Sequence, residues 1–515
     1  MNAAGRGVFG LLLALPIVML GWGRVAFDFH SIAGLIDGAL LQRLLNSLQL
    51  AGFTSLFAVV FALPVFVVHS LTPPSRRRWL QAAALLPFSV PPFAMASAWM
   101  TLAGWFENPG GRIVWGAESL WEQWLYSVPG AAFVLALCYW PVVFFYVALS
   151  GVPERRAYEA ALLYLPMPTR LYRFWLPCLL QVVLIACALV FGLALLQFEA
   201  PSLLYVDVYP LEIYVQFSAL LNEGAAFLLC LPYLLLVPFM AWIFAASRNL
   251  GRRGAEAPVQ TRGPLALIVG AGCAACVVFG LSVVVPAGAL LLHASSIESL
   301  WLEWTRQSKT VLLTIAYAAS SSVVMFALGL WLCRVRARWE RALWLLAGLA
   351  CFVLPGILIS ASWLEFRSLW PGWLPRWAQT LTLIAGYAAH FWVVGFAAAF
   401  LFWNRYGAQQ QEADALLTRS LWQRIRFLYA PAWVKYCPPI LFMMGLFVWC
   451  DASVTTLLHP PGGETLTMRY FNLLHYGSEP RTAAVGLLLL LTPMALLLIG
   501  LFARMLVQRW GLRYE

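Results

Sequence analysis

Charged residues are scarce in this sequence. Asp, Glu, Lys and Arg make up only 11% of the 515 residues, while 62% of the residues are hydrophobic and the mean hydropathy is +0.80. Soluble domains carry roughly 25% charged residues, so a soluble protein is excluded. Because lipid offers no partner to free backbone polar groups, membrane spans must be helices or a closed barrel. Long apolar runs without alternating polar residues favour helices.

Side chains that carry chemistry are also few. The six His occur singly, and no pair has the spacing that haem or metal ligation requires. Cys273 and Cys276 form a CxxC motif inside an apolar run, where packed or lipid-facing thiols explain it better than a redox site. No GxxxxGK[ST] phosphate loop occurs, so the chain cannot hydrolyse ATP by that route. We therefore expect no catalytic residues, no metal site and no cofactor.

About twelve apolar runs are long enough to cross a membrane, since a spanning helix needs about 20 residues. Their centres lie near residues 18, 57, 92, 139, 187, 236, 278, 321, 351, 391, 441 and 494. The first run, residues 7–27, is longer than the apolar part of a signal peptide and lacks a small-residue cleavage site, so we interpret it as a span. The sequence thus predicts an all-α polytopic membrane protein with about twelve transmembrane helices.

The distribution of basic residues predicts the orientation of these spans. Arg residues follow every second run, as in residues 76–78 and 252–262, while residues 199–223 contain no Lys or Arg. By the positive-inside rule, both termini are cytoplasmic and the protein is a multi-pass membrane protein. The net charge of +11 therefore reflects orientation, and no nucleic-acid partner is expected.

The second half of the chain repeats motifs of the first half in the same order. SVPPFAMASAWM (89–100) corresponds to VLPGILISASWL (353–364), and FEAPSLLY (198–205) corresponds to CDASVTTLLH (450–459). This correspondence predicts a tandem duplication in parallel orientation. Parallel repeats imply a pseudo-twofold axis along the membrane normal, as in some transporters, and favour a transport path on that axis.

The predicted boundaries follow from this duplication. Residues 1–250 form a first six-span unit, residues 251–264 form a cytoplasmic linker, and residues 265–515 form a second six-span unit. The linker is rich in Gly, Pro and Arg, which is typical of a connection between units.

Each half contains one polar, basic loop at the same place. The loops read EAALLYLPMPTRLYRFWLP (159–177) and EADALLTRSLWQRIRFLYAP (412–431). In the second loop, apolar residues recur at the three- and four-residue spacing of an amphipathic helix. Such a helix can lie on the anionic membrane surface. Alternatively, two symmetric cytoplasmic helices suit a dimeric partner.

These loops resemble the EAA motif in the membrane subunits of ABC importers. The matching residues are Glu159, Ala160, Ala161 and Pro177 in the first loop, with one residue deleted, and Glu412, Ala413 and Pro431 in the second. Other motifs, including NSLQLAG (46–52) and PPGGETLTMRYFNLLHYG (460–477), extend the resemblance over nearly the whole chain, to double-length permeases of the ferric-iron and thiamine importer type. The resemblance implies two six-helix repeats of the type I, MetI-like, ABC-importer permease fold.

The loops also depart from the family pattern. Leu165 or Pro166 in the first copy and Thr418 in the second stand where the family has a Gly, and Asp414 replaces the second Ala. Because Gly permits a tight bend between two short helices, the first loop is expected to bend at Pro166 and Pro168 instead.

The resemblance implies a permease component of a binding-protein-dependent ABC importer in a bacterial inner (plasma) membrane. Its implied partners are a cytoplasmic ABC ATPase dimer, which hydrolyses the ATP, and a periplasmic or extracellular substrate-binding protein. The helices around Glu159 and Glu412 would then lie in clefts of the two ATPases. Four basic residues of the loops either pair with acidic ATPase surfaces or anchor to lipid headgroups: Arg170, Arg173, Arg424 and Arg426.

Two acidic residues predict a translocation path. Glu199 and Asp451 occupy equivalent positions at the outer ends of the fifth and eleventh runs. Under twofold symmetry they would face each other near the outer mouth, and two carboxylates favour a cationic substrate of the iron(III) or thiamine class. Alternatively, both are ordinary interfacial residues in solvated loops. Four residues interrupt the third and ninth runs, either lining a cavity or causing packing kinks: Pro91, Pro92, Pro355 and Gly356.

Two other classes of membrane protein share this size. A secondary active transporter with two parallel six-span halves would carry coupling ionisable residues within its spans, and these spans are almost free of them. An enzyme acting on lipid-linked substrates would need a concentrated polar cluster, and the sequence contains none.

Overall fold

Helices make up nearly all of the ordered structure. The computed structural model describes residues 37–107, 120–150, 176–251, 265–294, 297–335, 337–368, 375–403, 430–476 and 479–509. Within these ranges there is no β-strand, so the expected all-α architecture is confirmed. The first predicted span, near residue 18, lies outside the described residues, and so does most of the linker.

The helices of the first half are named α1 to α10. They are α1 Gly38–Leu71, α2 Pro74–Phe88, α3 Pro92–Glu107, α4 Leu120–Leu125, α5 Val128–Ser150, α6 Leu176–Leu195, α7 Glu199–Leu203, α8 Tyr209–Ser218, α9 Glu223–Cys230 and α10 Leu236–Gly251. A 3₁₀ turn, Leu231–Leu235, joins α9 to α10.

The helices of the second half are named α11 to α20. They are α11 Leu265–Phe279, α12 Val285–His293, α13 Ile297–Cys333, α14 Arg338–Val353, α15 Gly356–Ser368, α16 Arg376–Phe402, α17 Ala430–Cys450, α18 Ser453–Leu458, α19 Leu466–Tyr476 and α20 Glu479–Arg509. A π-helical turn, Gly280–Val284, joins α11 to α12.

Several of these helices can cross a bilayer. In the described part of the chain, seven continuous helical stretches are long and apolar enough: Gly38–Leu71, Val128–Ala148, Glu223–Ile243, Ile268–His293, Leu300–Cys333, Trp377–Phe402 and Pro480–Ala503. Two shorter apolar helices, Leu180–Leu195 and Tyr436–Cys450, accompany them. The chain is therefore a multi-pass, all-α membrane protein.

The third and ninth predicted spans are sharply bent helix pairs. Arg76–Phe88 meets Pro92–Ala103 at 79°, and Trp339–Val353 meets Gly356–Ser368 at 106°. Proline lacks the amide N–H that would continue the helical ladder, and it pushes the preceding residue out of the helical region. Accordingly Leu354, just before Pro355, is extended with ψ 141°. Both bends thus fall at the prolines that interrupt the apolar runs of the sequence.

The two halves share one order of helices and one mode of packing. The long helix α1 packs along α5 and α6, and α13 packs along α16 and α17 in the same way. A similar hydrogen bond also occurs in each half, from the first residue of a short helix to a hydroxyl on the long helix. Ser47 Oγ on α1 accepts from the backbone N–H of Tyr209 at 2.8 Å, and Thr314 Oγ1 on α13 accepts from the backbone N–H of Leu466 at 2.8 Å.

The first span of the second half, formed by α11 and α12, packs against the first half. Helices α11 and α12 pack against α1 and α3 of the first half. Near the π-helical turn, Trp140 Nε1 on α5 donates to Ser282 Oγ at 3.1 Å, and the Trp140 and Phe279 rings meet edge to face at 5.4 Å. The hydrophobic core therefore runs continuously through both halves.

Candidate functional site

A cavity of about 170 Å³ lies where the two halves meet. Most of its wall comes from three pairs of corresponding places in the chain. These are the bends at 88–92 and 352–357, the middles of α5 and α16, and the residues at and after the ends of α6 and α17. Pro210, Tyr214 and Tyr233 of the first half complete the wall.

Equivalent sequence positions line the cavity from both sides. Phe88 and Phe352 precede the two bends, and their side chains both belong to the wall. Tyr139 of α5 corresponds to Phe391 of α16, since each precedes a buried Trp. Two pairs of aromatic residues at corresponding sequence positions thus belong to the wall.

Glu199 and Asp451 both line this cavity, as the two halves of the sequence suggested they could. Their carboxyl groups are close enough to interact electrostatically. Asp451 also interacts with His390, which lies in the middle of the membrane-length helix Trp377–Phe402. The two acidic residues are therefore partly buried in the wall of this cavity.

The Asp451 carboxylate is held in place by helix α18. Its Oδ1 accepts from Ser453 Oγ at 2.7 Å, and its Oδ2 accepts from the backbone N–H of Val454 at 2.9 Å. Free N–H groups and the helix dipole both favour a negative charge at a helix N-terminus. This carboxylate is thus oriented by its own chain.

The Glu199 carboxylate has a different environment. Glu199 begins the short helix α7, and its backbone oxygen accepts from Ser202 Oγ at 2.9 Å. Within the described part of the chain, no hydrogen bond or ion pair reaches its carboxylate. None of the described residues that line the cavity is Lys or Arg. Glu199 therefore presents an uncompensated carboxyl group to the cavity.

Two further polar groups of the wall were missed by the sequence analysis. His390 Nδ1 lies 3.0 Å from the Cys351 carbonyl oxygen, which can only accept, so Nδ1 carries the proton. Tyr214 of α8 also lines the cavity, and burial raises the pKa of its hydroxyl, which stays neutral. A lone His in an apolar run and a Tyr near a span end gave no signal of this role.

The predicted helix-breaking residues lie at or beside the cavity. Pro92, Pro355 and Gly356 belong to its wall, while Pro91 sits in the bend next to it. At position 356 only Gly fits without rearrangement, because a Cβ added there would overlap Ser453 Oγ. The absence of a side chain at Gly356 thus lets Ser453 hold the Asp451 carboxylate.

Most of the EAA-like residues lie outside the described residues. These are Glu159, Ala160, Ala161, Arg170, Arg173, Glu412, Ala413, Arg424 and Arg426. Pro177 and Pro431 are each the second residue of a helix, in α6 and α17 respectively. Proline is well tolerated in a first helical turn. The helix after each loop therefore starts at an equivalent place.

No protein-family model, no curated protein and no solved structure gives a significant match to this chain.

Proposed function

We propose that this chain is the transmembrane permease of a binding-protein-dependent ABC importer, with the central cavity on its translocation path. The observation that carries the proposal is the cavity itself, which both halves line through equivalent positions and which contains one acidic residue from each half. Ionisable groups at membrane depth are costly and are found facing wet or transported interiors. A path on the axis between two halves accounts for this arrangement.

The proposal includes a fold of about twelve spans in two type I permease repeats, residues 1–250 and 265–515. The similar packing of the long helices, the two bent pairs and the similar hydrogen bonds of Ser47 and Thr314 support two copies of one unit. Copies in parallel orientation are related by an axis along the membrane normal. Motion of one unit against the other would open the cavity alternately to either side.

Coupling to ATP would pass through the helices that follow the two EAA-like loops. Helix α6 has 20 residues and α17 has 21 residues, so each is about 30 Å long. Each begins next to a loop, at Pro177 or Pro431, and leads at its other end to Glu199 or Asp451. A partner that moves the loops would therefore move the cavity wall through these two helices.

The partners, the orientation and the substrate class belong to the same proposal. A cytoplasmic ATPase dimer would bind the loops around Glu159 and Glu412, and a binding protein would deliver substrate from the opposite side of a bacterial inner membrane. Arg-rich loops after alternate spans support cytoplasmic termini. Two acidic residues, with no Lys or Arg in the described wall, support a cationic substrate of the iron(III) or thiamine class.

Site-directed photocrosslinking tests the coupling. A photoreactive amino acid would replace Glu159 or Glu412 in the tagged full-length chain, expressed with the ATPase and binding protein encoded nearest to its gene. We expect adducts with the nucleotide-hydrolysing subunit at both positions, and none from a matched site on the lipid-exposed face, such as Leu56. Adducts with an exported protein, or labelling of the loops from outside the cell, would refute the proposal.

A second candidate is a secondary active transporter with two parallel six-span halves. It is favoured by one observation, the grouping of Asp451 and Glu199 with His390, which lies in the middle of a span where an ionisable group is rare. Uptake into vesicles separates the two. Uptake by an ABC importer requires ATP and continues in the presence of a protonophore. Uptake by a proton-coupled carrier stops when the protonophore is added and does not depend on ATP.

A further inference from the structure

Aromatic rings form much of the cavity wall. They come from both halves and include Phe88, Tyr139, Tyr214, Phe352, Phe391 and Phe447. Ring faces carry partial negative charge and attract cations, most strongly where water is excluded. The wall therefore attracts positive charge in addition to the two carboxylates.

The described wall contains two acidic groups, Glu199 and Asp451, but only one titratable base, His390, which lies near Asp451. The Asp451 carboxylate accepts hydrogen bonds from Ser453 and Val454, but these donors are neutral. Glu199 has no partner of opposite charge among the described residues that surround it. An unpaired carboxylate away from water is unfavourable. A cationic occupant would remove that cost.

The donors available do not suit a bare metal ion. Hard cations take six or more oxygen ligands in a close shell. Among the described residues, no group of three or more His, Cys, Asp or Glu is placed to hold a metal ion. An ammonium ion with apolar substituents needs fewer polar contacts, because rings can replace part of its hydration shell.

The volume sets an upper limit on the occupant in this conformation. A cavity of about 150 Å³ is large enough to bind benzene in another protein. The cavity here, at about 170 Å³, therefore admits a group of the size of one six-membered ring or a compact ammonium head. A larger substrate would fit only after the halves separate.

We propose that this cavity is a binding site for a compact, weakly hydrated organic cation. Its positive centre lies between Glu199 and Asp451, and its apolar substituents pack on rings such as Tyr139 and Phe391. The inference rests on the proposed function for the energy source and direction of transport, but binding itself depends on neither. It deepens that function by choosing an organic cation over a metal ion.

Binding is measured on the full-length chain in lipid nanodiscs by equilibrium dialysis of radiolabelled choline. We expect saturable binding that the neutral isostere, with carbon in place of the quaternary nitrogen, competes for at least about tenfold more weakly. We also expect that Mn²⁺ at equal concentration does not displace choline. Competition by the isostere at equal strength, displacement by Mn²⁺, or no saturable binding would overturn the proposal.

Paired variants locate the site. Glu199→Gln combined with Asp451→Asn is expected to weaken choline binding about tenfold or more, whereas Glu298→Gln, an exposed carboxyl on α13, should leave it unchanged. Tyr139→Leu should weaken binding about three- to thirtyfold relative to Tyr139→Phe, which keeps the ring. The assignment is contradicted if the Tyr139→Leu and Tyr139→Phe variants bind choline equally well, or if the doubly neutralised variant binds it as tightly as the unmodified protein. A matching gel-filtration profile and melting curve establish that each variant is folded.

The two proposals fail separately. If the loops crosslink to an ATPase but choline does not bind, the importer function stands and the organic-cation site falls. If choline binds through Glu199 and Asp451 but no ATPase contacts the loops, the site stands and the importer function falls.

Discussion

Replacing Gly356 by Ala tests how the cavity carboxylate is held. The added Cβ overlaps Ser453 Oγ and lies 3.2 Å from Val454 Cγ2. Ser453 can avoid the overlap by rotating, but it then loses its 2.7 Å bond to Asp451 Oδ1. A hydrogen bond to a charged group contributes about 1.5–3 kcal/mol, and the remaining crowding costs about 1 kcal/mol. We expect Gly356→Ala to lower stability by about 2–4 kcal/mol.

A double-mutant cycle isolates this mechanism. Ser453→Ala alone loses the same bond, about 1.5–3 kcal/mol, so adding Gly356→Ala to it should cost only about 1 kcal/mol more. Gly272→Ala serves as the control, because no atom lies within 4 Å of its added Cβ and Ala is the better helix former. It should be neutral or slightly stabilising.

The assay is thermal unfolding in nanodiscs, followed with a thiol-reactive fluorescent dye. Buried thiols such as Cys138 and Cys351 become reactive only when the fold opens. Strictly additive losses for the two substitutions would show that Gly356 does not act through Ser453. A Gly356→Ala variant as stable as the Gly272→Ala control would refute the steric argument altogether.

Other predictions concern contacts away from the cavity. Ser47→Ala and Thr314→Val each leave a buried backbone N–H without its acceptor, so each should cost about 1 kcal/mol by chemical denaturation, and unequal losses would argue against equivalent roles in the two halves. Glu303→Gln breaks two ion pairs, with Arg306 at 2.9 Å and with a residue of α20 at 3.1 Å, whose arginine side chains are partly exposed, so it should cost about 1 kcal/mol in the melting assay, and a loss within measurement error would contradict it. Arg43→Ala breaks a partly exposed 2.6 Å ion pair and should cost about 1 kcal/mol or less, with smaller effect at high salt.

Much of the architecture could be predicted because few backbone structures are stable in lipid. The apolar runs predicted the helices, because the backbone must satisfy its own hydrogen bonds in lipid. Pro91 and Pro355 marked the bends, because proline interrupts the helical hydrogen bonds locally. The breaks after two of the spans could not be predicted in this way. The helices near residues 187 and 441 end at Leu195 and Cys450, and each is followed by a short helix that begins at or near an acidic residue.

The site could be predicted only in part, for a physical reason. In a soluble protein, an apolar face distinguishes the core from the surface, but in a membrane both lipid and protein interior are apolar. Rings such as Tyr139 and Phe391 therefore gave no sign that they face a cavity. Glu199 and Asp451 were found because charge is rare in these runs and because their positions correspond between the halves. His390 lacked such a partner, since Cys138 stands at the corresponding position.

The crossing of α11 and α12 onto the first half has a consequence for assembly. During synthesis α11 and α12 are made after the first half, which already contains the surface on which they pack, including Trp140, the partner of Ser282. The first half can thus direct the packing of these two helices. If the chain were cleaved between residues 251 and 264, these contacts would remain, and we expect the two fragments to stay associated.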